Sequence, residues 1–254
     1  AETVLLKNRT LNAAEVLSKI SNKFPLSPLA PPSLLRSASL FYKSGKNESA
    51  KAELTKLINE YPNSDDNVAG QLFLGDLLIS ENQEEAARLR FSSVLIHPKA
   101  TIDQKNLASL RTADIYLIQK DPQRAAEIVK SLQITENSSH YSLWQVITGK
   151  ILVQTSEWEK GIPLLESACT QGKLSPEERS QAALFLARIY SRINLFDKSR
   201  AWYVQLISLA SQPSEQVVIL SEGSIVFLNM GNYDKAWEWS QQVLVQYPDL
   251  VTPN

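Results

Sequence analysis

Gly231-Asn232-Tyr233-Asp234-Lys235-Ala236 reads as the turn of a helical hairpin. Glycine ends one helix because it accepts the left-handed backbone there, and the asparagine side chain can accept from the free N–H groups that open the next. Tyr233 and Ala236 then fall three apart, on one helical face. Phe227 stands four residues before the glycine, and Ser240, Val243 and the stop Tyr247-Pro248 follow the turn. Alone, this stretch makes one hairpin, but the chain writes it again and again.

Working outward from Ala236, a small residue recurs near the start of each second helix: Ala13, Ala50, Ala87, Ala125, Gly161, Ser199 and Ala236. The intervals are 37, 37, 38, 36, 38 and 37 residues, and recurrence at about 20 to 50 residues marks a solenoid. Four residues after each landmark stand Leu17, Leu54, Phe91, Val129, Leu165, Tyr203 and Ser240. Nine before it stand Val4, Phe41, Leu78, Tyr116, Leu152, Tyr190 and Phe227, and twelve before it Ala38, Gly75, Ala113, Gly149, Ala187 and Ser224. The two small columns let paired helices approach closely, and the larger residue a turn later fills the groove beside them. The expectation is about 13 helices and no β-sheet.

Composition agrees. A content of 43% hydrophobic and 21% charged residues supplies a normal core, and eight glycines leave little material for β-turns or phosphate-cradling loops. A net charge of −1, from 26 basic and 27 acidic residues, argues against nucleic acid or an anionic membrane as partner. A single cysteine excludes an intrachain disulfide framework. No apolar run reaches the ~20 residues of a membrane span, and no secretory segment is recognisable. The chain starts at Ala1 rather than Met, which reads as a processed or excised piece.

The continuous period predicts one repeat domain over 1–254. A partial repeat occupies 1–30, with Val4-Leu5 as the tail of a truncated first helix and Leu11 to Lys23 as its second helix. Full repeats follow at 31–67, 68–105, 106–141, 142–179, 180–216 and 217–254. Pro31-Pro32 suit the first turn of one helix. Ser175-Pro176-Glu177-Glu178 supplies a cap, a first-turn proline and two acids to another.

These residues carry a resemblance. LGDLLISENQEEAARLRF (74–91), FLARIYSRINLFDKSRAWY (185–203) and MGNYDKAWEWSQQVLVQYP (230–248) look like tetratricopeptide repeats, and the likeness covers essentially the whole chain. The endings YPNSDD (61–66) and YPDL (247–250) resemble bacterial envelope members. Those include the Tol–Pal-associated cell-division coordinator and the lipoprotein that assists outer-membrane barrel assembly. The resemblance implies an all-α, right-handed α-solenoid and a non-enzymatic scaffold that binds a protein or peptide on a concave face lined by first helices. The alternative is a structural or regulatory arm of a larger multi-domain or envelope protein whose catalytic or anchoring part lies outside this chain, and end-to-end self-association is a further expectation.

The face implied by the resemblance carries Arg36, Ser39 and Tyr42, then Phe73 and Asp76, then Arg111 and Asp114. Further on come Lys150 and Gln154, then Phe185, Arg188 and Arg192, and Glu222. A groove of mixed apolar and basic character centres on Arg111, Lys150, Phe185 and Arg188. Chaperone-binding members grip a terminal carboxylate with Lys and Asn on these helices. Here the matching positions hold Leu35 with Ser39, Leu72 with Asp76 and Leu110 with Asp114, so that clamp is not expected.

Chemistry finds little footing. His97 and His140 lie in different repeats as capping or surface residues, and no metal-ligand spacing accompanies them. Cys169 falls on the apolar face of a second helix as a buried thiol. Glu84-Glu85 and Glu177-Glu178 are adjacent acids in first turns, placed to complement a helix dipole. No catalytic, cofactor or metal site is expected. On the last helix Trp239, Val243, Ala236, Tyr247, Ser240, Leu244 and Trp237 span about 160° at ~100° per residue, wider than one partner helix needs. One tryptophan is therefore expected to be covered by a neighbouring copy or by the Leu250-Val251 tail.

Overall fold

The computed structural model describes residues 2–210 and 212–250, with side chains from Arg9 onward. These residues form thirteen α-helices and a 3-10 turn at Pro248–Leu250, with no strand among them. The chain divides into two compact units, Ala1–Ile134 and Thr135–Asn254. The first holds α1 (Glu2–Lys23) and three hairpins: α2 (Ala30–Lys43) with α3 (Asn47–Glu60), α4 (Asp65–Ser80) with α5 (Glu84–Ile96), and α6 (Ile102–Ile118) with α7 (Pro122–Lys130). The second holds α8 (Tyr141–Gln154) with α9 (Trp158–Gln171), α10 (Pro176–Arg192) with α11 (Phe196–Leu209), and α12 (Pro213–Asn229) with α13 (Tyr233–Gln246).

One backbone device makes all six hairpins. Five residues before each landmark the chain enters the left-handed region: Gly45, Asn82, Lys120, Ser156, Asn194 and Gly231, with φ between 57° and 74°. The next amide then bonds back to the carbonyl of the large residue nine before the landmark. These bonds are Lys46 to Phe41, Gln83 to Leu78, Asp121 to Tyr116, Glu157 to Leu152, Leu195 to Tyr190 and Asn232 to Phe227, at 2.7 to 2.9 Å. This six-to-one bond satisfies a carbonyl that the helix end would leave open. The spacing from small residue to landmark is accordingly twelve in every hairpin, whereas the return to the next small residue takes 24 to 26. All variation in the period therefore sits in the return connections. Helix starts are capped by side chains at Ser64, Thr101, Asp121, Ser175 and Asn232, with reciprocal boxes at Thr101/Gln104 and Ser175/Glu178.

The predicted columns form the core. Ala50, Ala87, Ala125 and Ser199 are wholly buried, as are Leu54, Phe91 and Leu165 a turn later. Gly75 faces the Phe91 ring so closely that a Cβ there would collide with it. In α8/α9 a Cβ on Gly149 would lie 2.9 Å from the Gly161 carbonyl, and one on Gly161 2.8 Å from the Gly149 carbonyl. In α12/α13 Gly223, beside the predicted Ser224, takes the six-membered ring of Trp239, which also meets Phe227 edge-on with ring centroids 5.0 Å apart.

Two expectations need correction. The partial first repeat is one unbroken helix, because nothing between Lys7 and Leu11 interrupts it; the side chains of Val4 and Leu5 lie outside the described residues. Its buried small residue is Ala14 rather than Ala13, since the Ser37 hydroxyl donates to the Ala14 carbonyl at 2.8 Å and fixes the register one residue later. On α13, Trp239 is buried within its own unit, while Trp237 is 68% exposed and Leu250, half of the expected covering tail, 47%. Val251, the other half of the expected covering tail, is outside the described residues.

Within the first unit the Xaa-Pro endings tie successive repeats together. The Tyr61 hydroxyl donates to the Pro25 carbonyl at 2.9 Å. His97 Nδ1 accepts from the Lys99 amide at 3.2 Å, which leaves Nε2–H to donate to the Pro62 carbonyl at 3.1 Å. The expected capping histidine thus acts across repeats.

The first-helix face as a candidate binding surface

The face is built by neighbouring first helices, and the residues predicted for it meet in rungs. The residue one place after the small column on one helix meets the residue two places before the small column on the next. In the first unit Arg111 of α6 pairs with Asp76 of α4 at 3.0 Å. Tyr42, a turn further along α2, meets Phe73 edge-on at 5.6 Å between centroids. In the second unit the Lys150 ammonium sits 5.9 Å from the centre of the Phe185 ring. Arg188 holds Glu222 with two bonds, of 2.8 and 2.7 Å. The Tyr203 hydroxyl donates to the same carboxylate at 2.8 Å.

Electrostatics follow from these contacts. The bond to Glu222 holds the Arg188 guanidinium above its ordinary pKa. Burial, and then the bond to Glu222, pushes the Tyr203 phenol upward. Both therefore keep their usual charge at neutral pH, and neither is poised for proton transfer. Cys169 is buried, and desolvation raises its thiol to about 11. Among the described residues no group of three His, Cys, Asp or Glu could hold a metal ion, and no helix is long and apolar enough to cross a membrane.

Of the four residues expected to centre the groove, Arg111 belongs to the first unit and Lys150, Phe185 and Arg188 to the second. Arg111 and Arg188 are spent on neighbouring acids. A cavity of about 530 Å³ opens instead between α2 and α4, lined by Pro32, Leu35, Arg36, Ser39, Asp66 and Phe73. Arg36, Ser39 and Phe73 were expected on this face, and Leu35 was placed beside Ser39 at a clamp-matching position; Pro32 and Asp66 were not expected. Pro32 and Asp66 are not rung positions: they lie six places before Ala38 and nine before Gly75, near the helix starts, and only the packed pair of helices brings them together. Arg36 is exposed and forms no ion pair among the described residues, as does Arg192 at the end of α10. Asp114 and Gln154 lie on the same helix faces.

Comparison with known proteins agrees with this architecture. A family model described as tetratricopeptide repeat matches residues 33–64, most of α2 and α3. No curated protein matches the sequence. Among solved structures the chain is similar to one from the APC/C hetero-tetramer Cut9–Hcn1, at TM-score 0.71 and 12% identity. That match covers 96% of this chain but only 44% of the other, so this chain spans less than half its length. A tetratricopeptide repeat protein from Parabacteroides merdae gives TM-score 0.66 at 12% identity, covering 97% and 90% of the two chains. PilF of Pseudomonas aeruginosa gives 0.57 at 16%, covering 86% and 92%. At such identities the likeness shows the fold, which is that of the tetratricopeptide-repeat scaffolds.

Proposed function

We propose that this chain is a non-enzymatic scaffold that binds another protein. An extended segment or helix would lie on the first-helix face, with the contact in the first unit seated between α2 and α4. The observation that carries this reading is the cavity between those helices. It has an apolar floor of Pro32, Leu35 and Phe73, and its one cation, Arg36, is not committed to an acid of the fold. In the first unit Arg111 is neutralised by Asp76, so Arg36 is the cation of that unit's face left for a ligand; in the second unit Arg188 is held by Glu222 while Arg192 is uncommitted. A peptide that places an apolar side chain on Phe73 and a carboxylate near Arg36 fits, while Asp66 at the rim disfavours strongly acidic runs.

The test is selection from a random peptide library with the intact chain, followed by titration of the enriched peptides. Binding should fall about tenfold or more in Arg36→Glu and in Phe73→Ala, the range expected of a central anchor. Enriched peptides that bind both variants as tightly as the parent would move the site off this groove. A second reading, an arm of a larger envelope protein, is favoured by the uncovered apolar side of α12 and α13 and by the Tyr-Pro endings; on that reading the isolated chain selects no peptide.

A further inference from the structure

The groove between α2 and α4 holds a charge besides Arg36. Its lining runs from Pro32 to Ser39 on α2 and from Asp66 to Phe73 on α4. Each span rises about 10 Å along its helix, the reach of about three residues of extended chain. The chemistry changes along that length. Asp66 and Pro32 lie near the end where both helices begin, Leu35 and Arg36 stand a turn further along α2, and Ser39 and Phe73 close the other end.

The fold uses neither charge. Among the described residues Arg36 and Asp66 form no ion pair with each other or with any other group, although they line one cavity. The Asp66 carboxylate has only the Ser64 hydroxyl near it, at 3.5 Å. On α12 the same place, nine before the small column, is Glu215, which accepts from the Ser180 hydroxyl of α10. The place of Ser180 is taken on α2 by Pro31, and a proline ring has no donor, so neither it nor Pro32 can hold Asp66 in that way. An acid in a first turn complements the helix dipole. Asp65 does this too, and it is paired with Lys99 at 3.0 Å. The dipole does not account for an acid on the wall of a cavity that also holds an unpaired arginine.

A purely acidic occupant would meet Arg36 and be repelled by Asp66, and a purely basic one the reverse. We propose, on the reading that this groove is the binding site, that the bound segment carries both signs of charge within one short stretch. A lysine or arginine meets Asp66, an aspartate or glutamate meets Arg36, and an apolar side chain rests on Phe73. Read from the end where α2 and α4 begin, the order is basic, acidic, apolar. The groove thus selects the order of charges rather than net charge, because the swapped order puts like charges together at both places.

Peptides enriched from a random library by the intact chain are the probes, titrated against the parent and its variants. Each enriched core should hold a base and an acid within about three residues of each other. Reversing that base to glutamate should weaken binding about tenfold. Asp66→Lys should lose the parent's peptides to the same extent and regain those whose base has become glutamate. Asp66→Asn, a gentler change at the helix start, should lose about threefold, with folding checked by the unfolding midpoint. Asp65→Lys makes the same charge change in the same turn but outside the lining, and should leave affinity within about twofold. Equal losses in Asp65→Lys and Asp66→Lys would assign the effect to the field of the helix end and overturn the contact. Peptides that need Arg36 and Phe73 yet bind Asp66→Lys as tightly as the parent overturn this inference alone and leave the groove as the binding site. Peptides indifferent to all three residues, or a selection that yields none, overturn both.

Discussion

The hairpins α4/α5 and α8/α9 make the same helix–helix contact in opposite ways. In α4/α5 one partner is very small and the other very large: Gly75 lies under the Phe91 ring, with Ala87 wholly buried beside them. In α8/α9 both small positions are glycine, each backbone approaches the other's carbonyl, and Leu165 replaces the ring. What repeats along this chain is a small residue on each side of the contact; the volume beside it varies, from Ala87 with Phe91 to Gly161 with Leu165. A ring can turn or a leucine can change rotamer, but a backbone carbonyl moves only with its helix, so the two hairpins should respond differently to added bulk.

The largest effect is expected for Gly75→Leu, whose new side chain has no space except that of the buried Phe91 ring. A loss of about 3 kcal/mol or more should appear as a lower urea midpoint at unchanged slope. Gly75→Ala combined with Phe91→Leu should behave better than Gly75→Ala alone, and if it does not, the trade of volume between the two positions is wrong. Ala87→Leu, in the same hairpin, should cost about 1–3 kcal/mol; an unchanged midpoint would discredit the small column. For Gly149→Ala two terms compete. Alanine gains about 1 kcal/mol of helix propensity over glycine, while its Cβ would lie 2.7 Å from Leu165 Cγ and 2.9 Å from the Gly161 carbonyl. The backbone contact should win, with a net loss of about 1 kcal/mol in thermal or urea melts. A stabilised variant would mean that α8 and α9 can part without penalty.

A smaller, pH-dependent effect belongs to α9. The fold favours the neutral Cys169 thiol, whose pKa is raised to about 11, against about 8.5 in an open chain. Its contribution is therefore complete below about pH 8.5 and is lost as the pH climbs toward 11. Midpoints measured across that window should fall more steeply for the parent than for Cys169→Ala, and equal slopes would show that the thiol is not desolvated. The smallest change expected is a gain. Lys120 and Ser156 occupy left-handed turn positions where Gly45 and Gly231 stand in other hairpins. Glycine at either should add about 0.5–1 kcal/mol, since a Cβ is strained in that conformation.

Much of the hairpin was legible because its determinants lie within one turn of each other. The twelve-residue spacing, the Asn232 cap, the Ser175 box and the glycine turns need no knowledge of the rest of the molecule. The first repeat shows where spacing runs out. Ala13 and Ala14 are both small, and the choice between them rests on Ser37, 23 residues away. The face was legible residue by residue but not as pairs, because Asp76–Arg111 and Arg188–Glu222 join residues of different repeats. Arg111 and Arg188 read as free cations until the neighbouring helix is placed, whereas the value of Arg36 emerges only once the others are accounted for.

The fixed hairpin turn and the variable return connection imply a rule for changing the chain's length. One residue added between a small column and its landmark would rotate the second helix by about 100°. Its buried stripe would then face solvent, and the left-handed residue would lose the amide that closes the turn. The same residue added between Ser131 and His140, in the connection from α7 to α8, leaves every twelve-residue interval intact. Tags, protease sites or reporter peptides therefore belong in the returns, and a deletion scan should divide the sequence into alternating rigid and forgiving blocks in step with the six left-handed residues.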